Sequence, residues 1–202
     1  MKTLRMYPTN LNGRYLDEAV ETLLAGGIVL LPTDTLYAIS CDALNNTAIG
    51  KLCRIKGIDI DPRRQTLSIV CSSLSMASEY ARIDNEAYRI LHRNLPGPFT
   101  FILPASAKLP KVFKGRRNVG IRIPASPIAT AIVERLGHPI LTTSVRHGED
   151  CRMETQQLAS DYANVAQLMI DGGECDGYES AVVNITDSLN PEILREGRLE
   201  LQ

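Results

Sequence analysis

Hydrophobic residues recur along the chain in two ways, at helical spacing and in short uninterrupted runs, and the two kinds of segment alternate. Leu16, Ala19 and Leu23 share one face of a helix, and glycines at 26–27 stand where that helix would end. The apolar run at 28–31 then predicts a buried strand, which a proline terminates. Because this alternation continues to the end of the chain, the pattern predicts an α/β fold.

Later segments predict the remaining elements. Ser126 followed by Pro127 is typical of a helix start, because a capping side chain precedes a proline in the first turn, and Gly137 ends this helix. Strands become more frequent in the last third of the chain, which favours a mixed sheet. The other predicted elements are helices at 47–56, 74–80, 84–93 and 155–163, and strands at 67–71, 99–103, 118–123, 139–143, 167–170, 180–185, 192–195 and 198–201.

Size and composition restrict the class of protein. With 202 residues, 44% of them hydrophobic, the chain predicts one domain over residues 1–202. Its 22 basic and 23 acidic residues nearly balance, so nucleic acid could be bound only through a local basic patch. The five cysteines lack C-x-x-C spacing, which argues against a disulfide framework. No apolar run approaches the roughly 20 residues that span a bilayer, so we expect a cytoplasmic protein without membrane contact.

Polar residues follow the strand at 28–31 and interrupt another strand. Thr33, Asp34 and Thr35 would lie at a strand end, where open α/β sheets bind ligands, although such residues often only satisfy a turn. Arg122 lies within an otherwise apolar strand and needs a partner, because an unpaired buried charge is very unfavourable. A ligand carboxylate or phosphate and an internal Asp or Glu are equal alternatives for that partner.

A basic segment at 108–117 is a candidate RNA contact. Five of its ten residues are cationic, and Lys111, Lys114, Arg116 and Arg117 could bind backbone phosphates. A solvated surface without a partner is the alternative interpretation.

Other chemical motifs are weak or absent. His147, Asp150 and Cys151 are close in sequence but lack a fourth ligand, so we predict no metal site. The chain contains neither G-x-x-x-x-G-K-[ST] nor G-x-G-x-x-G. A nucleotide would therefore have to be held in some other way.

Five ordered motifs resemble the YrdC-like family. Residues 31–37 (LPTDTLY) resemble its P-T-[DE]-T-x-[YF]-G signature, and residues 96–100 (PGPFT) resemble P-G-P-x-T. Residues 119–124 (VGIRIP) are similar to V-G-x-R-x-P, residues 179–184 (ESAVVN) to E-S-T-V-[VI]-D, and residues 193–197 (ILREG) to L-R-x-G. Each motif is weak alone, but together they span about residues 10–200 in the family's order.

The resemblance implies a fold and an activity. The fold would be a twisted sheet with flanking helices around a large basic cavity. The family includes the threonylcarbamoyl-adenylate synthases, which join threonine, bicarbonate and ATP and release pyrophosphate, with Mg²⁺ expected to accompany the ATP. Their product donates the threonylcarbamoyl group to an adenosine of some tRNAs, and double-stranded RNA binding is also attributed to the domain.

The resemblance also assigns roles to residues. Lys56 and Arg122 would be catalytic. The residues implied to hold threonine are Thr35, Arg122, Ser144 and Ser180. The residues implied to bind the nucleotide are Lys56, Arg64, Asn118, Arg146 and Arg195.

Two departures bear on the activity. The synthases carry K-x-R near the ATP site, where this chain has Ile58 in the arginine place, and S-x-N where it has Arg146 in the asparagine place. This pattern is closer to the YciO-like branch, and by the same resemblance we expect the extra C-terminal domain of the longer synthases to be absent. Two hypotheses follow: a synthase of threonylcarbamoyl-adenylate or a related compound, or a YciO-like protein that binds nucleotide or double-stranded RNA without that synthesis.

Overall fold

One mixed sheet with helices on both faces forms the protein. The computed structural model describes residues 1–57, 68–109, 117–145 and 154–202. In chain order the elements are β1 Lys2–Arg5, α1 Gly13–Leu24, β2 Val29–Leu31, β3 Ala38–Asp42, α2 Asn46–Lys56, β4 Ser68–Val70, α3 Leu74–Tyr80, α4 Asn85–Asn94, β5 Phe99–Pro104, β6 Asn118–Arg122, α5 Pro127–Leu136, β7 Ile140–Ser144, α6 Thr155–Asp161, β8 Leu168–Asp171, β9 Ala181–Asn184 and β10 Glu192–Arg195.

The strands lie in the order β1-β8-β2-β3-β7-β4-β6-β5-β9-β10. Neighbours run parallel at β1–β8, β2–β8, β4–β6 and β5–β9. The other neighbouring pairs are antiparallel. The predicted α/β class with a twisted mixed sheet is therefore confirmed.

Each face of the sheet carries its own apolar core. On one face, α2, α3 and α4 pack on the central strands around residues such as Leu52, Leu91 and Phe101. On the other face, α1 and α5 bury residues such as Leu23 and Ile132 against β2 and β8. Hydrophobic burial on both faces is typical of α/β sheets.

The start of α5 is tied to the end of β2. Ser126 caps the helix by accepting a hydrogen bond from the Ala129 amide, and its hydroxyl donates to the Pro32 carbonyl at 3.0 Å. Gly137 ends the helix in the left-handed conformation with φ +79°, which glycine adopts without strain. This junction fixes the loop at 32–37 beside the C-terminal end of β6.

Two strands, β1 and β3, were not predicted. All five residues of β3 are buried, including Ser40 and Asp42. A short strand that is covered on both faces shows no alternation of apolar and polar residues, so the pattern gave no signal.

The predicted strand at 198–201 is wrong. Gly197 packs so closely on Ala181 that an added Cβ would lie 2.6 Å from the Ala181 nitrogen. Residues 196–202 form no strand, and the last residue, Gln202, exchanges hydrogen bonds with the Asn94 side chain in α4. Tertiary contacts therefore override the local strand preference.

Candidate functional site

Arg122 is the centre of the candidate site. It lies at the C-terminal end of β6 and is 7% exposed. Its Nη2 donates to Asp34 Oδ1 at 2.5 Å and to Thr35 Oγ1 at 2.6 Å, and it lies 3.2 Å from Thr33 Oγ1. We call these four residues the inner arginine cluster. The internal carboxylate partner, one of the two alternatives from the sequence, is therefore present.

Hydrogen bonds within the loop hold the acceptors of Arg122 in place. Thr33 donates its only hydroxyl proton to the Leu36 carbonyl at 2.6 Å and accepts from the Thr35 amide at 3.2 Å. The contact of 3.1 Å between the two threonine hydroxyls must therefore be donated by Thr35. Asp34 Oδ2 accepts from the Ala125 amide at 3.0 Å. The loop presents oxygens to Arg122 in a fixed arrangement.

One donor of the guanidinium is not used. Arg122 Nε is buried and has no hydrogen-bond partner within the described residues. A buried donor without an acceptor costs about 1–3 kcal/mol, and such groups are rare in folded proteins. The inner arginine cluster can therefore gain stability from an additional anionic or carbonyl acceptor.

A second arginine is held in a similar way. Arg195 in β10 donates from Nε to the Ser180 carbonyl at 3.0 Å and from Nη2 to Ser180 Oγ at 3.3 Å. Its Nη1 lies 3.0 Å from Glu179 Oε2, and Ser180 Oγ lies 3.0 Å from Thr100 Oγ1. We call these four residues the outer arginine cluster. The structure thus places Arg195, assigned to the nucleotide by resemblance, against Ser180, assigned to the amino acid.

The two clusters adjoin. Phe101 of β5 pairs with Ile121 of β6, so the antiparallel register brings Thr100 next to Arg122. In addition, the Gly177 amide donates to the Thr35 carbonyl at 2.9 Å. The segment between β8 and β9 therefore runs along the loop at 32–37 before it delivers Ser180.

Cys175 lies on this segment and touches the inner arginine cluster. Burial raises the pKa of its thiol to about 11, and a hydrogen bond from the Thr33 amide acts in the opposite direction. Tyr37 anchors the same segment, because its hydroxyl donates to the Gly173 carbonyl at 2.8 Å and accepts from the Gly172 amide at 3.1 Å. Burial raises the tyrosine pKa as well.

Lys56 reaches the far end of the loop. Its Nζ donates to the Ser144 carbonyl at 2.8 Å. Ser144 pairs with Ala38, and the Val145 amide donates to the Tyr37 carbonyl at 2.8 Å. The structure therefore brings Lys56 and Ser144 together through the main chain of Ser144.

Asn118 and Arg117, also predicted to bind a ligand, are not assembled with Arg122. Asn118 is exposed at the other end of β6, four residues from Arg122, which is about 13 Å along a strand. Arg117 precedes it and is also exposed. The residues Arg64, Arg146, Lys111, Lys114, Arg116, Ile58, His147, Asp150 and Cys151 lie outside the described residues.

The sequence reasoning missed several members of the site. Thr33 and Asp34 belonged to a candidate binding cluster but were not assigned as site residues, and Thr100, Cys175 and Glu179 were not considered for the site. Asp34 and Glu179 each directly precede a hydroxyl residue that binds an arginine. This repeated acid–hydroxyl pair was the signal that could have indicated both carboxylates.

The described parts of the chain contain no group of three or more His, Cys, Asp or Glu residues able to hold a metal ion. None of the helices within those parts is long and apolar enough to cross a bilayer.

Known proteins resemble the chain over nearly its whole length. The Sua5/YciO/YrdC family model, described as telomere recombination, matches residues 21–197. Uncharacterized protein YciO of Escherichia coli is 32% identical over 196 residues, 95% of this chain and 93% of its own. Threonylcarbamoyl-AMP synthase of Pyrococcus abyssi is 33% identical over 181 residues, 88% of this chain and 52% of its own.

Solved structures agree with these relatives. The crystal structure of E. coli YciO superimposes with a TM-score of 0.90 at 30% identity, covering 100% of this chain and 98% of that one. P. abyssi Sua5 complexed with L-threonine superimposes with a TM-score of 0.86 at 30% identity, covering 98% of this chain and 57% of that one.

Proposed function

Because the chain belongs to the Sua5/YciO/YrdC family, we propose that it binds ATP and a small amino acid and acts as a threonylcarbamoyl-adenylate synthase or a close relative. The observation that carries the proposal is the set of contacts around the Arg122 guanidinium. This guanidinium is buried and aligned by three oxygens, and its Nε has no acceptor among the residues that the structure describes. It supports the proposal that this chain binds an amino acid, and a solved structure of P. abyssi Sua5 is complexed with L-threonine.

The inner arginine cluster would receive the amino acid. Guanidinium groups bind carboxylates through two parallel hydrogen bonds. A substrate carboxylate placed against Arg122 would therefore supply the acceptor that Nε lacks. The Thr35 hydroxyl, now directed at Thr33, and the adjoining Ser180 hydroxyl can then bind the polar end of the substrate.

Lys56 and the outer arginine cluster would serve the nucleotide. The ammonium of Lys56 lies beside Ser144, close to the same loop. The family assignment adds Asn118, Arg64 and Arg146 for the nucleotide. Cations fixed in this way stabilise the negative charge that develops on phosphoryl oxygens during transfer.

The reaction balances as an adenylyl transfer. The amino group of threonine adds to the carbon of bicarbonate with loss of water and forms a carbamate. A carbamate oxygen attacks the α-phosphorus of ATP, the bond from that phosphorus to the bridging oxygen breaks, and pyrophosphate leaves. Mg²⁺ would neutralise the phosphates. Because Asp34 and Glu179 are both ion-paired with arginine, the metal would arrive on the nucleotide. The product would serve tRNA modification.

Pyrophosphate release tests the proposal. We expect release from ATP that requires both threonine and bicarbonate, and a loss of at least about 100-fold in Arg122→Ala. Arg135→Ala, which removes an exposed arginine on α5, is the matched control and should keep the full rate. Absence of threonine-dependent release above the Arg122→Ala background would refute the synthase.

A YciO-like binding protein is the second candidate. It is favoured by the match to E. coli YciO over 95% of the chain and by Ile58 and Arg146 in the sequence. In this case nucleotide or double-stranded RNA binds without pyrophosphate release. Affinity for an RNA duplex should fall as salt rises and on replacement of Lys111, Lys114, Arg116 and Arg117 by alanine. Unchanged affinity would exclude that basic segment as the RNA site.

A further inference from the structure

A row of small residues crosses the centre of the sheet beside Arg122. Ser68 of β4 pairs with Thr142 of β7 on one side and with Gly120 of β6 on the other. A Cβ added to Gly120 would lie 2.8 Å from Ser68 Oγ, so both residues present the same face of the sheet. Residues opposite each other in an antiparallel pair also share a face, which places Thr142 there. We call Gly120, Ser68 and Thr142 the central row.

The central row is partly open although it lies in the middle of the sheet. Strand β4 lies between β7 and β6, yet Ser68 and Gly120 are only half-buried. Val70 and Ile140 form the next row on the same face, and both are buried in the apolar core that includes α5. The apolar cover of this face therefore ends beside the central row, where the surface offers hydroxyl groups and glycine backbone.

Three alternate residues of β6 lie along this face. Arg122, Gly120 and Asn118 are two positions apart, and each step is about 6.6 Å along the strand. The proposed function places the amino acid at Arg122 and the nucleotide at Asn118. The carboxyl group from bicarbonate is bonded to the amino group of threonine and attacks the nucleotide, so it has to lie between these two positions. Gly120 occupies that place and adds no side chain to obstruct a ligand.

Arg122 gives an independent sign of a ligand at this place. Its Nη2 donates to the loop at 32–37. Its Nε, the guanidinium nitrogen nearest to β6, is buried and has no acceptor among the residues that the structure describes. In addition, the Thr142 hydroxyl donates to the Ser68 carbonyl at 3.5 Å, well beyond the usual length of such a bond. A group rich in oxygen over the central row would therefore gain donors that the protein uses weakly or not at all.

On the basis of the proposed synthase function, we propose that the central row binds the carboxyl group that bicarbonate contributes to the carbamate. The hydroxyls of Ser68 and Thr142 donate hydrogen bonds to one of its oxygens and leave the other free to attack the α-phosphorus. The carbon of this group is three bonds from the threonine carboxylate carbon, so its oxygens reach roughly 5 Å from the group at Arg122. A hydrogen bond of about 2.8 Å then covers the rest of the step to the central row.

Loss of the hydroxyls should weaken the use of bicarbonate and spare threonine. In Ser68→Ala and in Thr142→Val, the KM for bicarbonate in pyrophosphate release should rise about 10-fold, because a hydrogen bond to a charged group is lost. Thr142→Ser keeps the hydroxyl and should keep the KM of the unaltered protein. The Kd for threonine, measured by calorimetry without bicarbonate, should be unchanged in all three variants, which also shows that they are folded.

Thr143→Val is the matched control. Thr143 is the next residue of β7 and points to the opposite face, because side chains alternate along a strand. The variant removes the same kind of hydroxyl from the same strand, and the KM for bicarbonate should not change. An equal rise of this KM in Thr142→Val and Thr143→Val would overturn the proposal.

A binding measurement separates the carboxyl subsite from the synthase activity. N-carbamoyl-L-threonine carries a planar urea group where the carbamate would form, and its binding needs neither ATP nor turnover. Ser68→Ala and Thr142→Val should each weaken its binding about 5-fold and leave threonine binding unchanged. If this selective loss occurs in a protein that releases no pyrophosphate, the synthase activity is refuted and the subsite stands. If pyrophosphate is released with an unchanged KM for bicarbonate in both variants, the subsite alone is refuted.

The binding measurement can also overturn the proposal by itself. Unaltered affinity for N-carbamoyl-L-threonine in both variants would do so, as would a failure of the unaltered protein to bind this compound. Equal losses of threonine and N-carbamoyl-L-threonine binding would do so as well, because the hydroxyls would then support the amino-acid site or the fold.

Discussion

The inner and outer arginine clusters have the same arrangement of residues and differ in burial. In each, an arginine contacts a carboxylate and the hydroxyl residue that follows it, Asp34 with Thr35 and Glu179 with Ser180. The side chains of Arg122 and Asp34 are 8% and 10% exposed, whereas those of Arg195 and Glu179 are 36% and 23% exposed. The burial of each ion pair decides how much that pair contributes to the free energy of unfolding, because water screens the more exposed pair.

The difference also bears on binding. The inner pair is desolvated, so its geometry is imposed by the fold and little movement is needed when a ligand arrives. The outer pair belongs to an edge strand, where stability is lowest and local opening is easiest. We infer that the inner cluster provides a rigid subsite and the outer cluster an adjustable one.

The largest expected effect is that of Arg122→Met. Breaking a buried ion pair leaves Asp34 charged and unpaired, so the free energy of unfolding should fall by about 3–5 kcal/mol. Removing both charges in Arg122→Met with Asp34→Asn should be milder than removing Arg122 alone, because no unpaired charge remains. Urea denaturation of the three proteins at neutral pH measures this.

Arg135 gives the matched control for burial. Its Nε lies 2.5 Å from Asp17 Oδ1, the same distance as in the inner pair, but the two side chains are 45% and 51% exposed. Arg135→Met should change stability by less than about 1 kcal/mol. Equal losses for Arg122→Met and Arg135→Met would show that depth is not what distinguishes these ion pairs.

A smaller effect should appear at alkaline pH. The folded state raises the pKa of Cys175 from 9.0 to about 11. The folded state therefore holds the proton more tightly, and this stability is present in full below pH 9 and is lost as pH rises toward 11. If the folded and unfolded states differed by a full proton over this interval, the free energy of unfolding would fall by about 1.4 kcal/mol per pH unit. We expect the fall to be smaller than this.

Cys175→Ser isolates the contribution of the thiol. Serine does not titrate in this range, so the variant should lose stability less steeply between pH 9 and 11 than the unaltered protein. Other groups contribute equally to both proteins and cancel in the difference. Parallel curves of unfolding free energy against pH for the two proteins would mean that burial does not raise the pKa of the thiol beside the inner arginine cluster.

The sequence predicted the helices and strands better than the contacts within the site. The helix from Pro127 to Leu136 was correct at both ends because its cap, its proline and its closing glycine are local signals. The pairing of Arg122 with Asp34 joins residues 88 positions apart, and no local pattern encodes which carboxylate meets a given arginine. The family motifs assigned Thr35, Arg122, Ser180 and Arg195 to one site, but the resemblance gave no role to Asp34 and Glu179, the carboxylates that align them.

The same limit explains β3 and the strand wrongly predicted at 198–201. Both segments contact neighbours that are remote in sequence. Strand β3 lies between β2 and β7, and Gly197 packs against Ala181 where the predicted strand would begin. Long-range packing decides such segments, and periodicity within a short window does not report it.

The smallest effect on stability is expected for Arg195→Ala. This variant distinguishes a role of Arg195 in substrate binding from a role in folding. Its partly exposed ion pair should contribute less than about 1 kcal/mol, so urea denaturation should barely change. The KM for the substrates should nevertheless rise about 10-fold, since Ser180 loses the two hydrogen bonds that orient it. Arg198→Ala is the control, because Arg198 pairs with Asp176 near this region but does not contact Ser180. If Arg195→Ala instead unfolds the protein as readily as Arg122→Met does, the outer arginine cluster is structural and the contrast with the inner one does not hold.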